Sequence, residues 1–166
     1  GRWRDDAQGP RQVVSGALGQ ERVHYEAPAA ERLEREMSAF FHWVNRTGDI
    51  DSLLRAAKAH LWFVNTHPFD DGNGRIARAI ADWALARSEN RSRRCYSMSA
   101  QIQQERKAYY SILESTGKGT LDITDWMVWF LGCLDRAISR AQVAIQAVLE
   151  KDRFWRTRAA EPFNDR

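Results

Sequence analysis

Leu54 to Trp83, LRAAKAHLWFVNTHPFDDGNGRIARAIADW, decides how this chain folds. Leu54, Ala57, Leu61 and Val64 recur at three- and four-residue steps, the period of a helix with one buried stripe. Pro68 ends that run, because it disfavours helical backbone in Thr66 and His67 before it. A second helix is expected from about Asn73, with Ile76, Ile80 and Trp83 on its apolar face. Between the two lies a short polar loop holding Gly72 and Gly74, residues that reach backbone conformations closed to others.

The same rules extend outward. Pro28 should introduce a helix to about Asn45, with Leu33, Met37, Phe40/Phe41 and Val44 inside and Gly48 ending it. Asp49 or Asp51 suits the cap of the next helix, and Ser99 that of a fourth enclosing Ile102, Tyr109 and Leu113. Thr124 opens a long last helix carrying Trp126, Trp129/Phe130, Leu134, Ile138 and Ile145. Upstream, Gln12 to Tyr25 has two β-friendly runs, Val13-Val14-Ser15 and Arg22-Val23-His24-Tyr25, around Gly16 and Gly19. These read as a β-hairpin. The expectation is an all-α bundle with one hairpin: an irregular lead-in over 1–11, a core over 12–156 and a tail over 157–166.

The 166 residues suffice for one domain, and 43% apolar with 28% charged residues is globular composition. No apolar run approaches the roughly 20 residues of a membrane span. Cys95 and Cys133 lack the spacing of a metal knuckle or redox pair, so a reduced, cytoplasmic protein is expected. The net charge of +3 raises nucleic acid as a partner. Much of it sits in Arg87–Arg94 and Arg153–Arg158, read as a solvated loop and a fraying end, so nucleic acid is not among the expected partners. Because the chain opens at Gly1 and stops after an arginine-rich stretch, it is expected to be a piece of something longer.

The chemistry concentrates in HPFDDGNGRIAR, His67 to Arg78. Free amides at a helix start, aided by the helix dipole, attract anions. Arg75 and Arg78, three apart, project from one side of the helix, away from the Ile76/Ile80/Trp83 stripe, and suit a polyphosphate. Asp71 offers a hard oxygen for Mg²⁺, which prefers to share its shell with phosphates. His67 is a proton acceptor just before this cradle. A base, a metal ligand, an anion hole and two clamps point to phosphoryl or nucleotidyl transfer. The stretch is not a GxxxxGK(S/T) loop.

These twelve residues match the Fic signature, HxFx(D/E)GNGRxxR, at every specified position, and the chain resembles that family from roughly Val13 to Trp155. QVVSG with VHYEAP resembles the family's flap hairpin, AHLWFVNTHPF the helix delivering the motif, and YSMSAQIQQERKAYYSILE with DITDWMVWFL its closing helices. The likeness leans towards the longer bacterial members. It implies AMP transfer from Mg-ATP to a Tyr, Thr or Ser hydroxyl of a target protein, with ATP and Mg²⁺ required. His67 would be the general base and Asp71 the Mg²⁺ ligand. The amides of Gly72, Asn73 and Gly74 would form the anion hole, with the Asn73 side chain as a further donor. Arg75 and Arg78 would clamp the β- and γ-phosphates, and Phe69 would anchor the loop. Val13, Val14 and Ser15 would pair with an extended target segment by strand addition. Tyr109 and Tyr110 resemble aromatics near the adenosine, though helical spacing lets only one face the core. His24, His42 and His60 read as structural.

Many family members are restrained by a helix bearing (S/T)xxxE(G/N). Thr157 to Pro162, TRAAEP, keeps the Thr–Glu spacing but ends in a helix-breaking proline. In the longer proteins that this chain resembles, that helix lies N-terminal to the present start, so the resemblance implies an inhibitory helix upstream. Gly74 stands where a Doc-like kinase would carry lysine. Transfer of UMP or phosphocholine, and AMP removal, share the core motif and stay open, as does a non-enzymatic nucleic-acid-binding helical module. The oligomeric state, a homodimer included, is not legible.

Overall fold

In the computed structural model, residues 2–7, 9–15, 22–46, 48, 50–89 and 94–159 are described. Strands β1 (Gln12–Ser15) and β2 (Arg22–Glu26) pair antiparallel, with Gln12 opposite Glu26, Val14 opposite Val23 and an irregularity between Val13 and Val14. The hairpin's loop, with Gly16 and Gly19, lies outside the described residues. After a 3₁₀ turn at Ala30–Arg32 come helices α1 (Leu33–Asn45), α2 (Ser52–Thr66), α3 (Asn73–Glu89), α4 (Met98–Gln104), α5 (Arg106–Lys118) and α6 (Thr124–Ala159). The all-α expectation with one hairpin holds.

Helix α2 is the centre of the bundle. Asp51 caps it, its Oδ1 accepting from the amides of Leu53 at 2.8 Å and Leu54 at 3.3 Å; the other candidate cap, Asp49, is outside the described residues. Ala57, Leu61 and Val64 are buried as their spacing predicts, and Ala56, Ala59, His60, Phe63 and Thr66 join them. A helix buried on most sides cannot be read as one stripe. Leu54 departs from expectation. It is 37% exposed beside an equally exposed Leu53, because this first turn stands clear of the packed layer.

Helix α3 packs on α2 with a different face from the one the periodicity suggests. Asn73, Ala77, Ala81, Ala84 and Leu85 are buried, whereas Ile76 and Ile80 are only partly covered and Trp83 is 42% exposed beneath the Arg87 guanidinium. The small alanines let the helix axes approach closely, and the bulky residues move to the flanks. In α1, Leu33, Met37, Phe40 and Val44 face inward as expected, while Phe41 faces solvent.

The expected fourth helix is two. Ser97, not Ser99, caps α4, its hydroxyl accepting from the Ala100 amide at 3.1 Å. At the break before α5, the Glu105 carboxylate takes two bonds of 2.6 Å from Arg136 of α6. Ile102, Tyr109 and Leu113 are buried across both pieces. Helix α6 inserts Trp126, Phe130, Cys133 and Leu134, and the Trp126 indole N–H donates to the Ala57 carbonyl at 2.9 Å, tying α6 to α2. Beyond Ala141 its described side chains are exposed, Ile145 included, because 36 residues extend roughly 54 Å and outrun the bundle. Arg153–Arg158, expected to fray, is helical through to Ala159. Cys95 is exposed and Cys133 buried, and neither forms a disulfide. Among the described residues no helix is long and apolar enough to cross a membrane.

Candidate active site

The junction between α2 and α3 is built by backbone constraints at both ends. His67 terminates α2 in the left-handed region, φ 48° and ψ 55°, with its amide still bonded to the Phe63 carbonyl at 3.1 Å. Among the described residues it is the one non-glycine with positive φ, a conformation that costs on the order of 1–3 kcal/mol and persists only when its surroundings enforce it. Gly72 makes the complementary turn at φ 84°. Asn73 then closes the loop. Its Oδ1 accepts from the Phe69 amide at 3.0 Å, and its Nδ2 donates to the Phe69 carbonyl at 2.6 Å. Each end of this buried amide thus holds the loop, and Nδ2 carries a second proton besides the one given to Phe69. The backbone amides of the first turn have no acceptor inside the helix.

His67 is half-buried, and its Nδ1 lies 3.4 Å from the Val64 carbonyl. A carbonyl only accepts, so the proton belongs on Nδ1 and the Nε2 lone pair is left to face outward chemistry. Burial holds the ring below its ordinary value of 6.5; Val64 opposes this, Arg11 and Arg4 reinforce it, and Asp71 opposes it. The imidazole is therefore neutral at pH 7, the state that can take a proton.

Asp71 and Arg75 are both exposed and form a 3.0 Å ion pair. Such a pair contributes little on its own, so both groups remain open to a ligand. Among the described residues no three His, Cys, Asp or Glu side chains are grouped as a protein cage for a metal would require. An ion that shares its shell with phosphates, as Mg²⁺ prefers to, needs no such cage, and the exposed Asp71 carboxylate would be the side chain to hold it. Arg78 donates through Nε to the Ser99 hydroxyl at 2.9 Å, so the serine expected as a cap holds a motif arginine instead.

Tyr109 and Tyr110 separate as helical spacing requires. Tyr109 is 4% exposed, with its hydroxyl 3.0 Å from Nε2 of a fully buried His60. Burial, then Arg78, push His60 down to about 3, so it is neutral. Tyr110 is half-buried beside Tyr109, with the Arg106 guanidinium 5.6 Å from its ring. His42 is exposed on α1, and the side chain of His24 lies outside the described residues. So do those of Val13, Val14 and Ser15.

Sequence reasoning missed the lead-in. Trp3 packs on Phe69 with ring centroids 5.2 Å apart. The Arg4 amide bonds to the Pro68 carbonyl at 2.9 Å, and its guanidinium donates through Nε to the His67 carbonyl at 2.8 Å. Arg11 donates to the Asp70 carbonyl, and its own carbonyl accepts from Ala27 at 2.8 Å. The one signal in the sequence is the pair Trp3-Arg4, a large aromatic and a cation in an otherwise small and polar segment.

The Fic/DOC family model matches residues 1–85. A uridine 5'-monophosphate transferase of Xanthomonas campestris pv. campestris is 39% identical over 67 residues, covering 36% of this chain and 12% of its own. The protein adenylyltransferase Fic of the sea anemone Nematostella vectensis is 33% identical over 113 residues, 67% of this chain and 25% of its own. The chain thus spans a quarter or less of the length of these curated relatives, which come from bacteria and animals alike. In fold it is similar to a Fic family protein from Desulfovibrio desulfuricans, with a TM-score of 0.69 at 24% identity over 86% of this chain and 41% of that one. The signature from His67 to Arg78, set between two helices of this bundle, and the family match over just more than half of the chain lead to one statement: the chain belongs to the Fic/DOC family.

Proposed function

We propose that this chain transfers AMP from Mg-ATP to a hydroxyl side chain of a protein and releases pyrophosphate. The observation that carries the reading is the α2–α3 junction: a neutral imidazole with Nδ1 on the Val64 carbonyl, followed five to seven residues on by the amides of a helix start and eight and eleven residues on by two arginines of that helix. The adenylyltransferase name of the sea-anemone relative supports the nucleotide assignment.

In this reading Nε2 of His67 takes the proton of the target hydroxyl as its oxygen bonds to the α-phosphorus. The bond from that phosphorus to the bridging oxygen of the β-phosphate breaks, and the electron pair leaves with pyrophosphate. The amides of Gly72, Asn73 and Gly74 receive the phosphate charge, and Arg75 and Arg78 hold the β- and γ-phosphates. Mg²⁺ bound by Asp71 would neutralise charge on the α- and β-phosphates. The adenosine contact falls to Tyr110, since Tyr109 is committed to the core. Strand β1 offers Val13–Ser15 to an extended target segment; β2 leans on α5, with Gly117 of α5 against the Tyr25 ring, which leaves β1 as the outer strand among the described residues. The two unpaired cysteines suit a reducing, cytoplasmic setting. An inhibitory helix upstream that reaches Arg78 belongs to the same reading.

A second reading has its own support. The Xanthomonas relative is named for UMP, and nothing in the His67–Arg78 stretch contacts a base by its chemistry alone. Incubation of the chain with protein lysate and equal ATP and UTP, followed by mass analysis of modified peptides, separates the two. Adducts of AMP on Tyr, Thr or Ser are expected. Adducts of UMP alone would reassign the nucleotide, and unmodified peptides would remove the enzymatic reading.

A further inference from the structure

Arg4 is unusual among the chain's arginines because its side chain has no exposed surface. A guanidinium taken fully out of water is costly unless its donors are matched, and here the acceptors come from the candidate site, the hairpin exit and the lead-in. Its Nε bonds to the His67 carbonyl at 2.8 Å. Its terminal nitrogens reach the Pro28 carbonyl, two residues beyond β2, and the Asp6 carboxylate. Asp6 in turn accepts from the Ala30 amide at 2.6 Å, at the entrance to α1. The Arg4 amide holds the next carbonyl, that of Pro68, and Trp3 covers Phe69. Fixing the His67 carbonyl fixes the peptide plane between residues 67 and 68, fixing the Pro68 carbonyl fixes the next, and together they constrain the direction in which the strained His67 projects its ring.

Resting on the AMP-transfer reading above, we propose that Arg4 is a positioning residue, which aims the His67 imidazole and locks it to the root of the hairpin. The same guanidinium bonds both the carbonyl of the base and the strand exit, so the hydroxyl presented by a docked strand and the ring that deprotonates it share one reference point. Arg11, bonded to the Asp70 carbonyl and Ala27, makes a second tie between the hairpin root and the same loop. The amides of Asn73 and Gly74, and Arg75 and Arg78, lie on α3, beyond these ties.

The test is Arg4→Met in the 166-residue chain, with Arg4→Lys, Asp6→Asn and the exposed Arg2→Met alongside. Single-turnover labelling from ATP at varied concentration gives a maximal rate and a half-saturation point. The expected result for Arg4→Met is a maximal rate lower by about 10²-fold, the scale of a catalytic group displaced by about an ångström, with half-saturation by ATP within about twofold. Arg4→Lys should recover part of the rate, Asp6→Asn should fall in the same direction, and Arg2→Met should match the parent chain. The second readout needs no activity. The ¹³C shifts of the His67 ring report which nitrogen carries the proton, and Arg4→Met should lose the Nδ1–H preference set by Val64 while the His60 signals stay put. A folded Arg4→Met with unchanged rate and unchanged His67 shifts overturns the proposal. If Arg4→Met does not fold, Asp6→Asn is read by the same two criteria. If the parent chain labels nothing, the AMP-transfer reading fails and the His67 shifts alone decide the positioning role.

Discussion

At the scale of single residues, two histidines of one helix and its cap differ in what their nitrogens meet. His67 keeps one nitrogen on a carbonyl and the other free, while His60 is sealed against Tyr109, Trp126 and Phe130, its Nδ1 without a partner among the described residues. His60 stays neutral in the folded chain down to about 3, but accepts a proton in the unfolded chain below about 6.5. Between those values the unfolded state binds the extra proton, so stability falls as pH falls, by up to about 1.4 kcal/mol per pH unit. His67, also held low, adds in the same sense. Urea unfolding of His60→Gln followed at pH 7, 6 and 5 should show a shallower loss on acidification than the parent chain; an identical slope would mean that His60 does not set it. His67 was legible as the proposed base from its place before a glycine-rich helix start. Arg4 was not, because its partners lie 24 and 63 residues away and a buried arginine looks like any other cation until they are known.

At the scale of elements, the loop from His67 to Asn73 works because two backbone positions, one at each end, sit in the left-handed region. Gly72 needs its missing side chain: at φ 84° an alanine is strained, and its Cβ would sit 3.5 Å from Arg75. Gly72→Ala should cost about 1–2 kcal/mol, a fall of roughly 2–8 °C in Tm for a chain of this size, and should cut labelling at least tenfold by turning the cradle amides. Gly74, whose φ is ordinary and whose Cβ would meet only the end of Arg78 at 3.6 Å, should tolerate alanine without loss of stability. Equal effects at the two glycines, by calorimetry and labelling, would refute this account of the loop. Periodicity found all the long helices here, yet it chose the wrong face of α3 and the wrong cap for α4. Alanine scores weakly as apolar but packs best where two helices approach closely, and Ser97 and Ser99 are indistinguishable until Arg78 claims the second.

At the scale of the molecule, α2 is the hub of the helical bundle around the site. It is capped by His67, takes the Trp126 bond from α6, and packs along α3, which begins with the proposed phosphate cradle. The bundle and its hairpin were legible because proline, glycine and the apolar repeats all mark the same boundaries. The part of α6 beyond Ala141 was misjudged, since Ile145 keeps the helical spacing after the bundle has ended. What spacing could not convey is how the lead-in and hairpin root are bolted to the loop between α2 and α3, since those bonds run to backbone carbonyls that any residue would supply. The measurement closest to the central claim is parallel incubation of the chain and its His67→Ala variant with Mg²⁺ and ATP labelled at either the α- or the γ-phosphorus. The account predicts protein-bound label from the α-position only, reduced about 10²–10⁴-fold in the variant while a non-hydrolysable ATP analogue still binds. Label arriving from the γ-position, or arriving from the α-position at the parent rate without His67, would contradict it.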